Sequence, residues 1–210
     1  GEDEKLEAVL PLVKKYGAAV VGLALDKDGI PKTAEKRFEI AEKILKRALE
    51  YGIPKRDVYI DCLTLTASAE QDNVMETVKA MRMVRERLGL KNVLGVSNIS
   101  FGLPNRELVN TTFLTMAMNS GLDLPIMNPN SAAMIGAVRA FRLLSGYDRN
   151  GADFIENYAN AKVVTQTVGA AASASATVSA NGEADILHAV ANGLKAECAA
   201  AAEKLIADGM

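Results

Sequence analysis

The sequence is poor in the residues on which several classes of protein depend. It has no tryptophan, and aromatic residues make up 5% of it. With so few aromatic side chains, we expect no stacking surface for nucleic-acid bases. The 24 lysines and arginines are balanced by 26 aspartates and glutamates, without a basic cluster. The sequence therefore predicts no nucleic-acid partner.

Residues that commonly bind metals are scarce and dispersed. Cys62 and Cys198 lie far apart, and we interpret them as reduced thiols. His188 is the single histidine, without a nearby partner, and we expect it at a surface or interface. Residues 26–29 lack the alternating ligands and the terminal glutamate of a calcium loop. No metal site is expected.

No apolar run is as long as a membrane span, and no signal peptide begins the chain, so we expect a cytoplasmic protein without a membrane partner. Apolar residues make up 49% of the 210 residues, enough for a sizeable core. The chain begins with Gly1 and ends at Met210, just after a predicted helix. We interpret both ends as cut rather than natural.

Strand and helix patterns alternate over residues 1–150. A helix is predicted at 3–16 and is followed by strands at 18–25, 58–61, 92–97 and 122–127 and by helices at 33–51, 70–88, 106–120 and 131–145. Each helix is followed by a glycine, which favours the left-handed conformation that ends helices. Right-handed connections between such pairs give a parallel sheet. A (β/α)8 TIM barrel needs eight pairs and about 250 residues. We therefore predict the C-terminal half of such a barrel, with a four-stranded open sheet as the alternative.

The composition changes after residue 150. A short helix is predicted at 152–160, and residues 161–182 are almost entirely Ala, Ser, Thr and Gly, so the segment 151–182 is interpreted as a linker. Two short helical patterns follow within 183–210. They are too small to bury their apolar faces alone, and they indicate the start of another helical module.

Polar residues follow the four predicted strands. Asp26, Asp61, Asn98 and Asn128 each close an apolar run. Because the carboxyl ends of parallel strands meet at one edge of the sheet, where α/β proteins place their chemistry, we expect these residues to line one rim. The most informative segment is GVSNISFGLPNR at 95–106, in which Asn98 follows a buried strand.

Four segments carry a resemblance to a known family. They are GAAVVGLALDKDGIP at 17–31, YIDCL at 59–63, GVSNISFGLPNR at 95–106 and GLDLPIMNP at 121–129. Residues 1–150 resemble the pterin-binding domain of cobalamin-dependent methionine synthases and of methyltetrahydrofolate:corrinoid protein methyltransferases. Residues 183–210 resemble, less specifically, the start of the helical cap of the corrinoid-binding module in methionine synthases. The family's first four strands, with an Asp and an Asn that grip the pterin, are absent, as is the cobalt-ligating histidine motif. The resemblance therefore implies an internal piece of a larger enzyme.

The resemblance implies methyl transfer from methyltetrahydrofolate to cobalamin in methionine synthesis, with the cobalamin bound by a module mostly outside this chain. It gives Asn98 the catalytic role, a hydrogen bond to N5 of the folate, since an amide offers both a donor and an acceptor. It implies that Asp61 binds the edge of the pterin ring, where its carboxylate would accept two parallel donors. From the residues alone, Asn98 serving the turn backbone and Asp61 serving as a loop or cap residue remain open.

Further contacts to methyltetrahydrofolate are expected from Gly95, Ser97, Arg106 and Asn128. A cation at a helix start is unfavourable, which indicates a role for Arg106 beyond the helix; the alternative is a solvated surface arginine. Asn128 either reaches the rim or caps the loop that follows. Gly95 and Ser97, with Ser100, would allow the backbone to approach the ligand, and turn geometry explains them equally well.

Three other functions remain open at this stage. A stand-alone methyltransferase serving a corrinoid iron–sulfur protein would use the same domain. A dihydropteroate synthase shares the barrel but condenses its pterin with an aminobenzoate. A non-catalytic barrel fragment would act as a docking scaffold, without binding folate.

Overall fold

The computed structural model describes residues 1–159 and, beyond them, residues 198, 202, 203 and 206, which are helical. The strands are β1 (Val20–Leu23), β2 (Val58–Asp61), β3 (Lys91–Gly95) and β4 (Leu122–Ile126). The helices are α1 (Asp3–Tyr16), α2 (Ala34–Glu50), α3 (Asn73–Met83), α4 (Arg106–Asn119), α5 (Ala132–Leu144) and α6 (Ala152–Tyr158). Most of the predicted linker and cap, together with His188, lies outside the described residues.

The four strands form one parallel sheet in the order β1-β2-β3-β4. The predicted α/β class and the alternation of strands and helices are confirmed. A π-helical turn, Val84–Leu88, continues α3 as far as Gly89. The glycines at the ends of the first five helical segments have positive φ, as expected for helix ends: Gly17, Gly52, Gly89, Gly121 and Gly146. Pro125 lies on β4, an edge strand of the described sheet, where a proline is tolerated.

Three strands are shorter than predicted, β4 by the single residue 127. β1 covers residues 20–23 instead of 18–25, and β3 ends at Gly95 instead of at residue 97. Residues 96–100 form a 3-10 turn in which the Ser100 hydroxyl donates to the Ser97 carbonyl at 3.2 Å. Such local side-chain bonds compete with a strand ladder. As a result, Asn98 lies in a turn beyond the strand.

The core lies between the sheet and the helices that follow the strands. Ile60 of β2 and Leu94 of β3 are fully buried there, as are Ile44 of α2 and Leu114 of α4. Gly22 of β1 allows close packing, since a Cβ at this position would lie 2.7 Å from Cγ2 of Ile44. Each such buried aliphatic side chain contributes about 1.5–3 kcal/mol relative to an exposed one.

The opposite face of the sheet is apolar and partly open. The register places Leu23, Asp61, Val93 and Leu124 in one row across the strands. Leu23 is 41% and Leu124 46% exposed. Ile126, next to Gly95 in the register, is 63% exposed. Parallel sheets are normally covered on both faces, so this face is unusual.

No helix in the described part of the chain combines the length and apolar character needed to cross a membrane.

Candidate functional site

Asp61 is the last residue of β2 and lies on the open face of the sheet. Its Oδ1 accepts a hydrogen bond from the backbone N–H of Leu63 at 2.8 Å. Burial raises the pKa of the Asp61 carboxyl, and the Leu63 bond opposes that rise. Its second oxygen, Oδ2, has no hydrogen-bond partner within the described residues. Asp61 thus serves its own loop with one oxygen and keeps the other free.

The loop after β2 is bonded to the turn after β3. The N–H of Ala67 donates to the Ile99 carbonyl at 2.9 Å. The hydroxyls of Thr66 and Ser68 donate to the Phe101 carbonyl at 3.1 and 2.8 Å. These bonds join the segment that follows Asp61 to the turn that contains Asn98. Two of the predicted site residues are therefore held by one connected structure at the carboxyl edge of the sheet.

Asn98 is exposed in the turn that follows β3. Its carbonyl accepts the N–H of Phe101 at 3.3 Å, but its side-chain amide has no hydrogen-bond partner in the described part of the chain. The side chain therefore does not serve the turn backbone there. The amide lies against Gly95, where an added Cβ would be 3.3 Å from the amide nitrogen. Gly95 provides space for the Asn98 amide, at an ordinary φ of −75°.

Arg106 begins α4 and folds back onto the turn. Its Nε donates to the Ser100 hydroxyl at 2.9 Å, and Nη2 donates to the Ser97 carbonyl at 3.1 Å. The guanidinium lies 4.6 Å from the ring centroid of Phe101, a cation–π distance. Arg106 is therefore bound to the 96–101 segment rather than freely solvated. Ser97 takes part through its carbonyl.

The expectation that four polar residues directly close their strands is wrong in detail. Asp61 alone ends a strand, while Asp26, Asn98 and Asn128 lie two or three residues further on. Asn128 accepts the N–H of Asn130 on Oδ1 at 3.0 Å, the loop role that the sequence left open. Asp26 accepts the N–H of Asp28 on Oδ1 at 2.9 Å, within a tight turn. The side-chain oxygens of Asp26 and Asn128 thus serve their own loops because their backbones turn immediately.

Sequence reasoning missed Arg37 of α2. Its side chain is 0% exposed, and its guanidinium donates to the carbonyls of Cys62 and Leu63, beside Asp61. An arginine within an amphipathic helix is normally expected on the solvated face. Nothing in the local pattern around residue 37 distinguishes it from the other charged residues of α2.

The cysteine in this region is not a candidate metal ligand or nucleophile. Cys62 is buried next to Asp61, and burial raises the pKa of its thiol to about 12. A thiol with this pKa is not ionised near neutral pH. Within residues 1–159 and the four further described residues, no three His, Cys, Asp or Glu side chains are grouped to hold a metal ion.

Comparison with known proteins agrees with the resemblance drawn from the four segments. Residues 1–128 match the sequence profile of a family described as Pterin binding enzyme. A methylcorrinoid:tetrahydrofolate methyltransferase from Eubacterium limosum is 33% identical over 152 residues, covering 71% of this chain and 56% of that protein.

Two methionine synthases are also similar to this chain. The protein from Mycobacterium leprae is 34% identical over 146 residues, covering 66% of this chain and 12% of its own length. The protein from Mycobacterium tuberculosis is 32% identical over 166 residues, covering 73% of this chain and 14% of its own length. The chain thus spans about half of one curated relative and about a seventh or less of the others. Since the family profile covers more than half of the chain, the chain belongs to the pterin-binding enzymes.

Proposed function

We propose that the protein containing this chain transfers a methyl group between N5 of tetrahydrofolate and a corrinoid. The observation that carries the proposal is the exposed amide of Asn98, which is held beside Gly95 in the turn after β3 and has no hydrogen-bond partner among the described residues. The names of the relatives support it, since one is a methylcorrinoid:tetrahydrofolate methyltransferase and two are methionine synthases.

Asp61 would bind the pterin ring. The pterin edge presents the 2-amino group and the N3–H as two parallel donors, and a carboxylate accepts such a pair well. The Leu63 N–H occupies one lone pair of Oδ1, which leaves Oδ2 and the second lone pair of Oδ1. Partial burial strengthens these bonds, since less water competes for the carboxylate.

Asn98 would assist the departure of the methyl group. When the methyl leaves N5, the electron pair of the broken bond remains on nitrogen, which therefore needs a proton or a strong hydrogen bond. An amide can accept from a protonated N5 or donate to an unprotonated one by rotating. The same groups serve both directions, because forward and reverse transfer share one transition state.

The corrinoid, when bound, supplies the cobalt that exchanges the methyl group with N5. The described residues contain no ligand cluster for cobalt but suit the folate side of the transfer, since Asn98 is exposed at an open edge. A corrinoid-binding module is therefore proposed as the partner of this surface, and residues 183–210 are proposed as its beginning. Residues 151–182 would be the linker between them.

Residues 1–150, which contain the parallel sheet, are proposed to be the C-terminal half of a (β/α)8 barrel. The row of Leu23, Val93 and Leu124 lies on the face that would be the barrel interior. β1 and β4 would pair with the remaining strands of the barrel, since each has one hydrogen-bonded neighbour in the described sheet. Further strands would cover the exposed apolar side chains and supply the rest of the pterin site.

The proposal is tested with the full-length protein, 5-methyltetrahydrofolate and reduced cobalamin. Cobalamin changes its absorption spectrum on methylation, so transfer is followed directly. Transfer to cobalamin followed by homocysteine-dependent loss of the methyl group identifies a methionine synthase, the version we propose. The aligned methylcorrinoid:tetrahydrofolate methyltransferase favours a second version, in which transfer occurs without a response to homocysteine.

Two results would contradict the proposal. Condensation of a pterin with aminobenzoate, without methyl transfer, would indicate dihydropteroate synthesis. A full-length protein that binds no folate would indicate a docking scaffold.

A further inference from the structure

Arg37 is a fully buried cation without a carboxylate among its hydrogen-bond partners in the described residues. Its guanidinium donates to neutral acceptors only: the carbonyls of Pro31 (2.8 Å), Cys62 (3.1 Å) and Leu63 (3.3 Å), the hydroxyl of Thr77 (2.7 Å) and the amide oxygen of Asn73 (2.7 Å). Burying a charge without a hydrogen-bonded counter-ion is costly. Burial lowers the pKa of Arg37 from its ordinary value, and the charge of Glu76 opposes this fall without bonding to the guanidinium. A cation in such a place calls for a function that a hydrophobic side chain would not perform.

Two of these acceptors belong to the segment that follows Asp61, and one of them is strained. Leu63 has a φ of 64°, a left-handed conformation that is unfavourable for leucine. Its carbonyl accepts from both Arg37 and Thr77, at 3.3 and 3.1 Å. A strained residue persists only where its surroundings hold it, and these two bonds hold Leu63.

The strained residue is also the one that contacts the Asp61 carboxylate. The N–H of Leu63 donates to Oδ1 of Asp61 at 2.8 Å, while the carbonyl of Leu63 is bound from the other side by Arg37. Arg37 and Asp61 are thus connected through the backbone of one residue. A change at Arg37 would free Leu63 to leave its left-handed conformation and would turn its N–H away from Asp61.

We propose that Arg37 is a positioning residue for the pterin-binding carboxylate. Through Leu63, it fixes the direction of the N–H that orients Asp61 toward the ligand. This inference rests on the proposed function of Asp61. It assigns a role in the site to a side chain of α2 that would not itself touch the folate.

The test compares Arg37→Lys with Ile44→Val in the full-length protein. Lysine has a single amino group in place of the planar guanidinium, so it cannot reach several acceptors at once. Ile44 is buried on the same helix without a hydrogen bond to the loop, so Ile44→Val is a control for loss of stability alone. We expect Arg37→Lys to raise the folate Kd roughly tenfold. Losing one hydrogen bond to a charged group, here the bond from Leu63 to the Asp61 carboxylate, has an effect of about this size. Ile44→Val should leave the folate Kd unchanged.

Two further measurements separate positioning from a general loss of structure. Leu63→Gly makes the left-handed conformation accessible without Arg37, so it should restore part of the affinity of Arg37→Lys. The Leu63 bond lowers the pKa of Asp61, so its loss should move the Asp61 titration to higher pH. Neighbouring groups do not confuse that titration, because the Cys62 thiol has a pKa of about 12 and the charge of residue 37 does not contribute to the shift of the Asp61 pKa.

The Asp61 titration is followed by 13C NMR of protein labelled at the aspartate carboxyl carbons, with the signal assigned by its loss in Asp61→Asn. This readout does not need folate, so it tests the inference even if the full-length protein binds none. An unchanged Asp61 titration in a folded Arg37→Lys variant would overturn the inference. If Arg37→Lys does not fold, Thr77→Val removes one bond to Leu63, and it should shift the Asp61 titration in the same direction by less.

Discussion

The Cα of Gly95 and the side chain of Asn98 lie so close that a Cβ on Gly95 would be 3.3 Å from Nδ2 of Asn98 and 3.8 Å from its Cγ. Gly95 has a φ of −75° and a ψ of 92°, which other residues adopt readily. Space for the amide, rather than backbone freedom, is therefore what this glycine provides. This contact joins Gly95, predicted to contact folate, to Asn98, predicted to be the catalytic residue.

Gly95→Ala should displace the Asn98 amide and slow methyl transfer while changing the melting temperature little. The control is Asn98→Ala: if Gly95 acts through Asn98, the double variant should be no slower than Asn98→Ala alone. Single-turnover rates of the four proteins provide the comparison. Equal rates for Gly95→Ala and the wild type would separate Gly95 from the role of Asn98.

Asp61→Asn should mainly weaken folate binding. The amide keeps the shape of the carboxylate but places a donor against the donors of the pterin, at a cost of about 1–3 kcal/mol. Isothermal titration of the full-length protein with methyltetrahydrofolate measures this cost. Wild-type affinity in the variant would remove Asp61 from the site.

The affinity for folate should also depend on pH through Asp61. Burial raises the pKa of this carboxyl, and only its ionised form accepts both pterin donors, so affinity should fall as pH decreases through the raised pKa. The effect on folding has the opposite sign: a raised pKa stabilises the folded state at low pH, and this contribution is lost as pH rises through it. Affinity measured from pH 7 down to pH 4 should decline in the wild type more than in Asp61→Asn.

The Cys62 thiol should resist alkylation in the folded protein. It is buried, and its pKa of about 12 leaves very little thiolate at pH 8. In a Cys198→Ser background, iodoacetamide should label Cys62 only after unfolding in guanidinium chloride. Rapid labelling under native conditions would show that the loop after β2 opens.

The 210-residue chain on its own should bind methyltetrahydrofolate weakly or not at all. Its edge strands and the open apolar face of the sheet favour self-association. Analytical ultracentrifugation and isothermal titration measure both properties. A cooperatively melting monomer that binds folate with micromolar affinity would support the open-sheet alternative instead of half a barrel.

Local signals in the sequence predicted the fold well. The glycines after the helices, such as Gly52 and Gly121, marked the helix ends correctly. A positive φ depends mainly on the residue itself, so it can be predicted from the local sequence. The limits of the strands were harder to predict, since residues 96–100 leave the sheet for a 3-10 turn in which the hydroxyl of Ser100 bonds to Ser97. That bond forms only after the chain has turned.

The candidate site was predicted only in part. Asp61 ends its strand and Asn98 comes shortly after its own, so their shared edge could be inferred from a parallel sheet. The side chain of Asn128 bonds to its own loop, and this bond competes with a folate contact at the rim. The sequence alone does not show which of these two roles Asn128 takes. Four of the five acceptors of Arg37 lie 25 or more residues away, in the loop after β2 and in α3, so no local pattern reveals its burial.

The central claim is that Asn98 assists methyl transfer at N5, and single-turnover transfer from methyltetrahydrofolate to reduced cobalamin tests it most directly. Asn98→Ala in the full-length protein should lower the rate constant on the order of 10²–10⁴-fold, as expected for acid–base assistance, and should weaken folate binding much less. A wild-type rate in Asn98→Ala, with folate bound at saturation, would contradict the account.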